Sequence, residues 1–394
     1  QLDMSDLHLY IETLEKKKTS YNSWTNLMST KKDKFTLKDK FYMEIALELA
    51  KSRHGLTGSN PCVGCVIVKN DKIISIGQTS FYGRPHAEYN AIKNSFEDLK
   101  GSKMYVTLEP CCHHGLTPPC TDSIIKSKIS EVIYSVSDID KRVRNKSYKI
   151  LKSKKIIVKK GLLKNKIESF YYPYFFNRKK KLPFVTGKIA VSKNNIIFSK
   201  TQKKITNIYS NQFTHLLRYQ NDSLMITYKT LNKDNPRLNC RLKGLEKFSP
   251  KRIILDNNLN SKINSYIIKS SRNKNTIIFY NKADKLKISK FKKKDILLIK
   301  SKVYKNNRFD IKIILKKLYK YGCRNLLIEG GDQLTNSMIK NKIFNKFYLY
   351  KSPKKLSKSF EYLKFSSQNI LNQKYKKKIN LNLNLRNDRI TLYS

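Results

Sequence analysis

The stretch EPCCHHGLTPPC, residues 109–120, places three cysteines and two histidines within twelve positions. It constrains the fold more than any other feature, because side chains that share a cation must be brought together by the backbone around them. Neighbours such as Cys111 and Cys112 cannot easily both face one metal, so the stretch is incomplete alone. A partner lies upstream in GRPHAEYNAI, where His86 and Glu88 open a helical run. A histidine at a helix start, with Cys111 and Cys120 from the next strand–loop–helix, makes a His/Cys/Cys set. Three protein ligands with an open fourth position describe catalytic zinc, which lowers the pKa of water toward neutrality. H-x-E followed by P-C…C also supplies a glutamate that moves protons and is not a ligand. Hydrolytic deamination of an amino-substituted ring needs both parts. A structural zinc site would instead need a fourth protein ligand, such as His113 or Cys112, and would leave Glu88 without a role.

Five of the seven cysteines lie between Cys62 and Cys120, a clustering that suits metal or catalytic use better than a disulfide framework. A reduced, cytoplasmic compartment is the expectation. No apolar run approaches membrane-spanning length and nothing reads as a cleavable signal peptide. The net charge of +53 raises the question of a nucleic-acid partner. The lysines, however, are spread over nearly every segment, in runs no longer than Lys179–Lys181, Lys292–Lys294 or Lys376–Lys378. That distribution reads as solvated surface rather than a polyanion-binding face.

Residues 1–36 are polar, without sustained apolar periodicity, and are expected to be a non-catalytic extension. Organisation begins at FTLKDKFYMEIALELAKSRHG, an amphipathic helix closed by Gly55. CVGCVIVKNDKIISIGQT reads as a hairpin with Asn70-Asp71 at its tip. HAEYNAIKNSF, KMYVTLEP, CTDSIIKSKI, EVIYSVSD and KSYKILKSKKIIVKKG then alternate helix and strand, which predicts a layered α/β domain over 37–180. From 181 to 394, runs such as SLMITYKT, KRIILD, NTIIFYN, DILLIK, RNLLIEGG and KFYLYKS predict a second α/β domain. The tail INLNLNLRNDRITLY alternates with period two, as an antiparallel strand with one wet face would.

NPCVGCVIV (60–68), HAE (86–88) and YVTLEPCCHHGLTPPC (105–120) resemble the deaminase half of the bifunctional riboflavin-biosynthesis deaminase–reductase family. Nucleoside and tRNA deaminases resemble P-C-x-x-C instead, whereas eight residues separate Cys111 from Cys120 here. The resemblance implies a cytidine-deaminase-like three-layer domain followed by a dihydrofolate-reductase-like α/β domain. It makes His86, Cys111 and Cys120 the zinc ligands, Glu88 the proton donor, and Asn60 a pyrimidine contact. Cys112 falls where relatives often carry Ser, and His113 and His114 match polar positions near the substrate. The loop SDIDKRVRNKS (137–147) departs from relatives in lacking Pro and Gly.

In the second half, LLRYQNDSLMITYKTLNKDNPRLNCR (216–241) and the Gly-Gly of RNLLIEGG resemble the family's NADPH-dependent reductase. The resemblance carries over Arg218, Leu238, Arg241 and Glu329 as substrate-side positions. Thr230, Asp234, Asn257 and Gly331 correspond to cofactor-side positions. KIAVSKNNIIFS (188–199) lacks the family's Asp-Gly turn, and Lys204 stands at a usually aromatic position. Together these imply a zinc-dependent deamination of 2,5-diamino-6-ribosylamino-4(3H)-pyrimidinone 5′-phosphate, then NADPH-dependent reduction of the ribosyl chain to ribityl. The expected partner is this phosphorylated pyrimidine, with no nucleic acid and no membrane, and the chain is expected to be a homo-oligomer. The rival readings are a weakened reductase, a tRNA or nucleotide deaminase, and a zinc-stabilised RNA-binding protein.

Overall fold

The computed structural model describes residues 34–200, 204–304, 307–358 and 361–394. Most of the expected N-terminal extension lies outside them. Everything from Tyr42 onward belongs to one compact unit, which holds both main sheets.

Helix α1 (Leu37–Ser52) opens on a reciprocal cap, in which Thr36 Oγ1 accepts from Asp39 N at 3.1 Å and Asp39 Oδ2 accepts from Thr36 N at 2.8 Å. Strands β1 (Gly64–Lys69) and β2 (Lys72–Gln78) form the expected hairpin. Its tip residues Asn70 and Asp71 have φ of 50° and 61°, the left-handed pair of a type I′ two-residue turn. Helix α2 (Ala87–Lys93), β3 (Lys103–Leu108), α3 (Cys120–Lys126), β4 (Glu131–Val136), α4 (Lys146–Ser153) and β5 (Ile157–Lys160) follow in the anticipated order. The sheet runs β2-β1-β3-β4-β5, antiparallel in its first half and parallel in its second.

Two glycines set how closely helices approach this sheet. A Cβ on Gly64 would collide with the Ala46 carbonyl of α1, and one on Gly77 with Ala87 O and Ala91 N of α2. The absent side chain at Gly77 therefore lets α2, with His86 at its start, lie directly on β2.

Helix α5 (Lys164–Lys180) docks through Tyr171, whose hydroxyl lies 2.6 Å from Thr107 Oγ1 and donates to Cys62 O at 2.9 Å. Asn177 near its end donates to Leu182 O and Arg324 O. The chain then enters a nine-stranded sheet ordered β11-β10-β9-β8-β12-β6-β13-β16-β15. Its strands are β6 (Phe184–Val191), β8 (Ser223–Thr227), β9 (Lys251–Leu255), β10 (Thr276–Tyr280), β11 (Leu297–Lys300), β12 (Asn325–Ile328), β13 (Lys346–Lys351), β15 (Lys378–Asn380) and β16 (Arg389–Tyr393). The short pair β7 (Ile196–Ser199) and β14 (Tyr362–Lys364) stands apart.

The parallel strands are apolar on both faces. Met225, Ile253, Ile277 and Leu326 join one core cluster, while Leu224, Ile254, Ile278 and Leu327 join another. Continuous apolar runs such as SLMIT and RIIL are what a doubly covered parallel sheet demands. Contacts also join the two layers: Leu56 clusters with Tyr219 and Cys240, and Phe81 stacks on Phe248 with ring centroids 5.4 Å apart.

The tail differs from the single strand that its alternation suggested. Residues 378–380 and 389–393 are separate antiparallel strands, and the chain between them turns back. There Leu383 N bonds to Leu381 O, Leu385 N bonds to Leu383 O, and Arg386 takes a left-handed φ of 53°. Leu385 buries itself in the core, so its alternation marks packing of a folded-back loop and not a ladder.

Candidate active sites

The ligand atoms of His86, Cys111 and Cys120 lie within 4.8 Å of one another. His86 caps the start of α2, Cys111 follows β3, and Cys120 is the first residue of α3, so two helix starts and the end of the sheet's central strand deliver them. His86 Nδ1 is 3.4 Å from Cys111 Sγ and 3.5 Å from Cys120 Sγ. Zinc bonds of about 2.3 Å to sulfur and about 2.0 Å to nitrogen, at a tetrahedral angle, place N and S donors about 3.5 Å apart. The donor set and its spacing therefore fit zinc. The Cys120 N–H donates to Cys111 Sγ at 3.3 Å. The hydrogen bond between the thiols lowers the Cys111 thiol to about 4 and pushes that of Cys120 well up.

Glu88 is 3% exposed in the first turn of α2, two residues from His86, and is not among the converging ligands. Burial, with the Cys111 thiolate nearby, pushes its carboxyl up to about 7. Cys112 also stands apart, its Sγ reaching the Arg142 carbonyl at 3.5 Å, so the fourth-ligand alternative gains nothing from it. Glu109 is a tie rather than a ligand: it accepts from Ser147 Oγ at 2.6 Å and from Asp138 N at 3.3 Å, anchoring the cysteine loop to residues 138–147. Asn60 donates to Gly83 O at 3.1 Å, beside the turn that leads to His86.

The second constellation lies at the carboxyl ends of the parallel strands, where open α/β sheets bind ligands. A cavity of about 1260 Å³ is lined there by Thr230, Asp234, Arg241, Asn257, Glu329 and Gly331, among others. Thr230 and Asp234 belong to the helix Tyr228–Asp234, whose N-cap Thr227 accepts from Thr230 N. Asn257 follows β9 and donates to Asn307. Gly331 begins the helix Asp332–Lys340 with φ −70°, a conformation open to any residue. What Gly331 supplies is room, since a Cβ there would meet nothing within 4 Å.

Arg218 and Leu238 stand behind the other six. Leu238 is 3% exposed, and Arg218 grips Glu329 in a two-pronged ion pair, Nε–Oε1 2.7 Å and Nη2–Oε2 2.9 Å. Burial works to raise the Glu329 carboxyl, but the Arg218 guanidinium holds it down at about 2. Arg241 N donates to His215 Nδ1 at 3.2 Å, and burial beside Arg218 and Arg241 pushes His215 down to about 4. Sequence reasoning missed Lys188, which lines the same cavity with its ammonium 4.9 Å above the Tyr350 ring. Burial lowers its pKa while Glu329 raises it. The available signal was a single lysine inside the apolar run FVTGKIAV.

Comparison with known proteins agrees with both halves. Residues 36–136 match the cytidine and deoxycytidylate deaminase zinc-binding region, and residues 187–385 match the RibD C-terminal domain. The riboflavin biosynthesis protein RibD of Actinobacillus pleuropneumoniae is 35% identical over 323 residues, covering 81% of this chain and 85% of that protein. Its counterpart in Aquifex aeolicus is 34% identical over 318 residues, covering 80% and 87%. A crystal structure from Thermotoga maritima is described as a diaminohydroxyphosphoribosylaminopyrimidine deaminase/5-amino-6-(5-phosphoribosylamino)uracil reductase. It superposes with a TM-score of 0.78 at 27% identity, over 90% of this chain and 98% of that one. With a zinc-binding deaminase region and a reductase region on one chain, this protein belongs to the RibD family of riboflavin-biosynthesis deaminase–reductases.

Proposed function

We propose that residues 37–180 deaminate 2,5-diamino-6-ribosylamino-4(3H)-pyrimidinone 5′-phosphate, and that residues 181–394 reduce the ribosyl chain of the product to ribityl with NADPH. The observation that carries the first half is the His86/Cys111/Cys120 cluster, with a buried Glu88 beside it that is not a ligand. Zinc, when bound there, supplies water acidified for attack on the amino-bearing carbon. Glu88 handles the protons: its Oε delivers one to the ring nitrogen, then passes the water's proton to the departing amine. Its raised pKa suits that work, because a group that both accepts and donates is best poised near ambient pH. Glu88→Gln should retain zinc and lose deaminase turnover by about 10²–10⁴-fold. Retained turnover with full zinc would remove Glu88 from the proton path.

For the second half, the cavity at the strand ends offers an open helix start at Gly331 and cationic side chains from Lys188 and Arg241. Arginine forks onto phosphate oxygens, which suits the sugar phosphate. The hydride comes from the nicotinamide, so the protein's task is placement of donor and opened sugar. Incubating the diaminopyrimidine phosphate with and without NADPH, and weighing the products, tests both activities at once. Deaminated product alone in the presence of NADPH would favour the weakened-reductase reading.

A further inference from the structure

Helix α5, which leads from the first sheet into the second, turns one face toward the metal site. Tyr171, Tyr174 and Arg178 stand at i, i+3 and i+7, one side of a helix, and each reaches a segment that borders the site. Arg178 Nη2 donates to Ser59 O at 2.9 Å. Tyr174 donates to Asp138 Oδ1 at 3.3 Å, in the loop that Glu109 ties to the cysteines. Tyr171 reaches deepest. Its hydroxyl donates to Cys62 O at 2.9 Å, which uses its single proton, so Thr107 is the donor across the 2.6 Å between the two hydroxyls. Thr107 Oγ1 in turn accepts from Gly64 N at 3.2 Å. One chain of hydrogen bonds thus runs from Gly64 N–H through Thr107 and Tyr171 to the Cys62 carbonyl. Both hydroxyl residues are buried, and burial pushes Tyr171 well above the ordinary phenol range, so it stays a donor. In that setting a lost member leaves its neighbours unpaired. The chain joins two places that deamination needs. Cys62 follows Asn60 in the segment entering β1, and Thr107 lies on the strand that delivers Cys111.

We propose that Tyr171 is a positioning residue for the deaminase, its hydroxyl fixing the Asn60 segment against the end of β3 and so the pyrimidine against the metal. This rests on the proposed reading of Asn60 and of the first site. Tyr171 acts through Cys62 and Thr107 and takes no part in the proton transfers. Its leverage is geometric, because a misplacement of about 1 Å between reacting groups costs about 10²-fold in rate. The other side of α5 packs on the second sheet, where Tyr172 and Phe176 meet the Phe184 ring edge-on. The helix that begins the reductase half therefore also braces the deaminase site.

The test uses the zinc-loaded full chain, with turnover expressed per bound zinc. Tyr171→Phe keeps the ring and removes the hydroxyl. It should keep its zinc while kcat for deamination of the diaminopyrimidine phosphate falls about 10- to 100-fold, with a smaller change in KM. Thr107→Val breaks the same chain, so the double variant should lie within about twofold of Tyr171→Phe, whereas independent effects would multiply. A residue that only supports the fold would lower the amount of zinc-loaded enzyme and leave turnover per zinc unchanged. That result, or losses that multiply, overturns the proposal. Amide hydrogen exchange keeps the test separate from the substrate reading. Should the wild type not deaminate the compound, that reading fails, and exchange at residues 60–64 decides whether the hydroxyl holds this segment. Exchange about tenfold faster there in Tyr171→Phe, with the second sheet unchanged, supports it. Equal exchange at 60–64, or faster exchange everywhere, overturns it.

Discussion

The Arg218–Glu329 pair shows how one residue contact organises a site. Both side chains are nearly enclosed, 11% and 14% exposed, so removing one partner strands the charge of the other. Glu329→Gln should destabilise the reductase half by about 3–5 kcal/mol, the range for breaking a buried pair, measured by denaturant unfolding. The pH dependence has a definite sign. The folded-state pKa of about 2 lies below the ordinary 4.5, so the pair's contribution is full above about 4.5 and is lost as pH falls through about 2. An unfolding midpoint that is flat across that window in the wild type, while Glu329→Gln is unchanged in stability, would show that the pair contributes nothing.

At the scale of elements, the metal cluster depends on how closely α2 lies on β2. That closeness is enforced at Gly77, where a side chain would meet the helix backbone itself, which cannot rotate away as a side chain can. Gly77→Ala should therefore cost about 1–3 kcal/mol and reduce zinc occupancy in proportion, read by metal analysis and thermal melting. Full zinc content with an unchanged melt would mean that α2 can lift without disturbing His86. The helices and strands around this site were legible in the sequence because their apolar periods are local. The folded-back tail was not. INLNLNL has the period of a strand, and only burial of Leu385 against the sheet core decides that the chain turns there.

Across the whole molecule, the two sheets share one compact unit, joined through α5, the Leu56–Tyr219–Cys240 cluster and the Phe81–Phe248 stack. NADPH at a hundredfold excess over its Kd should stabilise the fold by about 2.7 kcal/mol through linkage. No thermal shift, together with no oxidation of NADPH in the presence of the deaminated substrate, would leave the second half without its assigned cofactor. The charge of +53 sits on this scale too. None of the described helices is long and apolar enough to cross a membrane, and lysines line the reductase cavity at 188, 204, 229 and 233. Part of the positive charge thus faces a site suited to phosphorylated ligands.

By itself the sequence pointed to the helices and strands around the first site, to His86, Cys111 and Cys120 as a metal-ligating set, and to Glu88 as the proton carrier beside them. Those follow from local spacing and from which side chains can bind a metal or move a proton. Tertiary structure alone decided what those residues meet. It showed Glu109 tying loops together, Arg218 gripping Glu329, Lys188 entering the cavity and Arg84 reaching Thr117 of the cysteine loop. Each of these joins residues from separate segments, and their distance in space is set by the packing of helices on sheets, which no local pattern in the chain records.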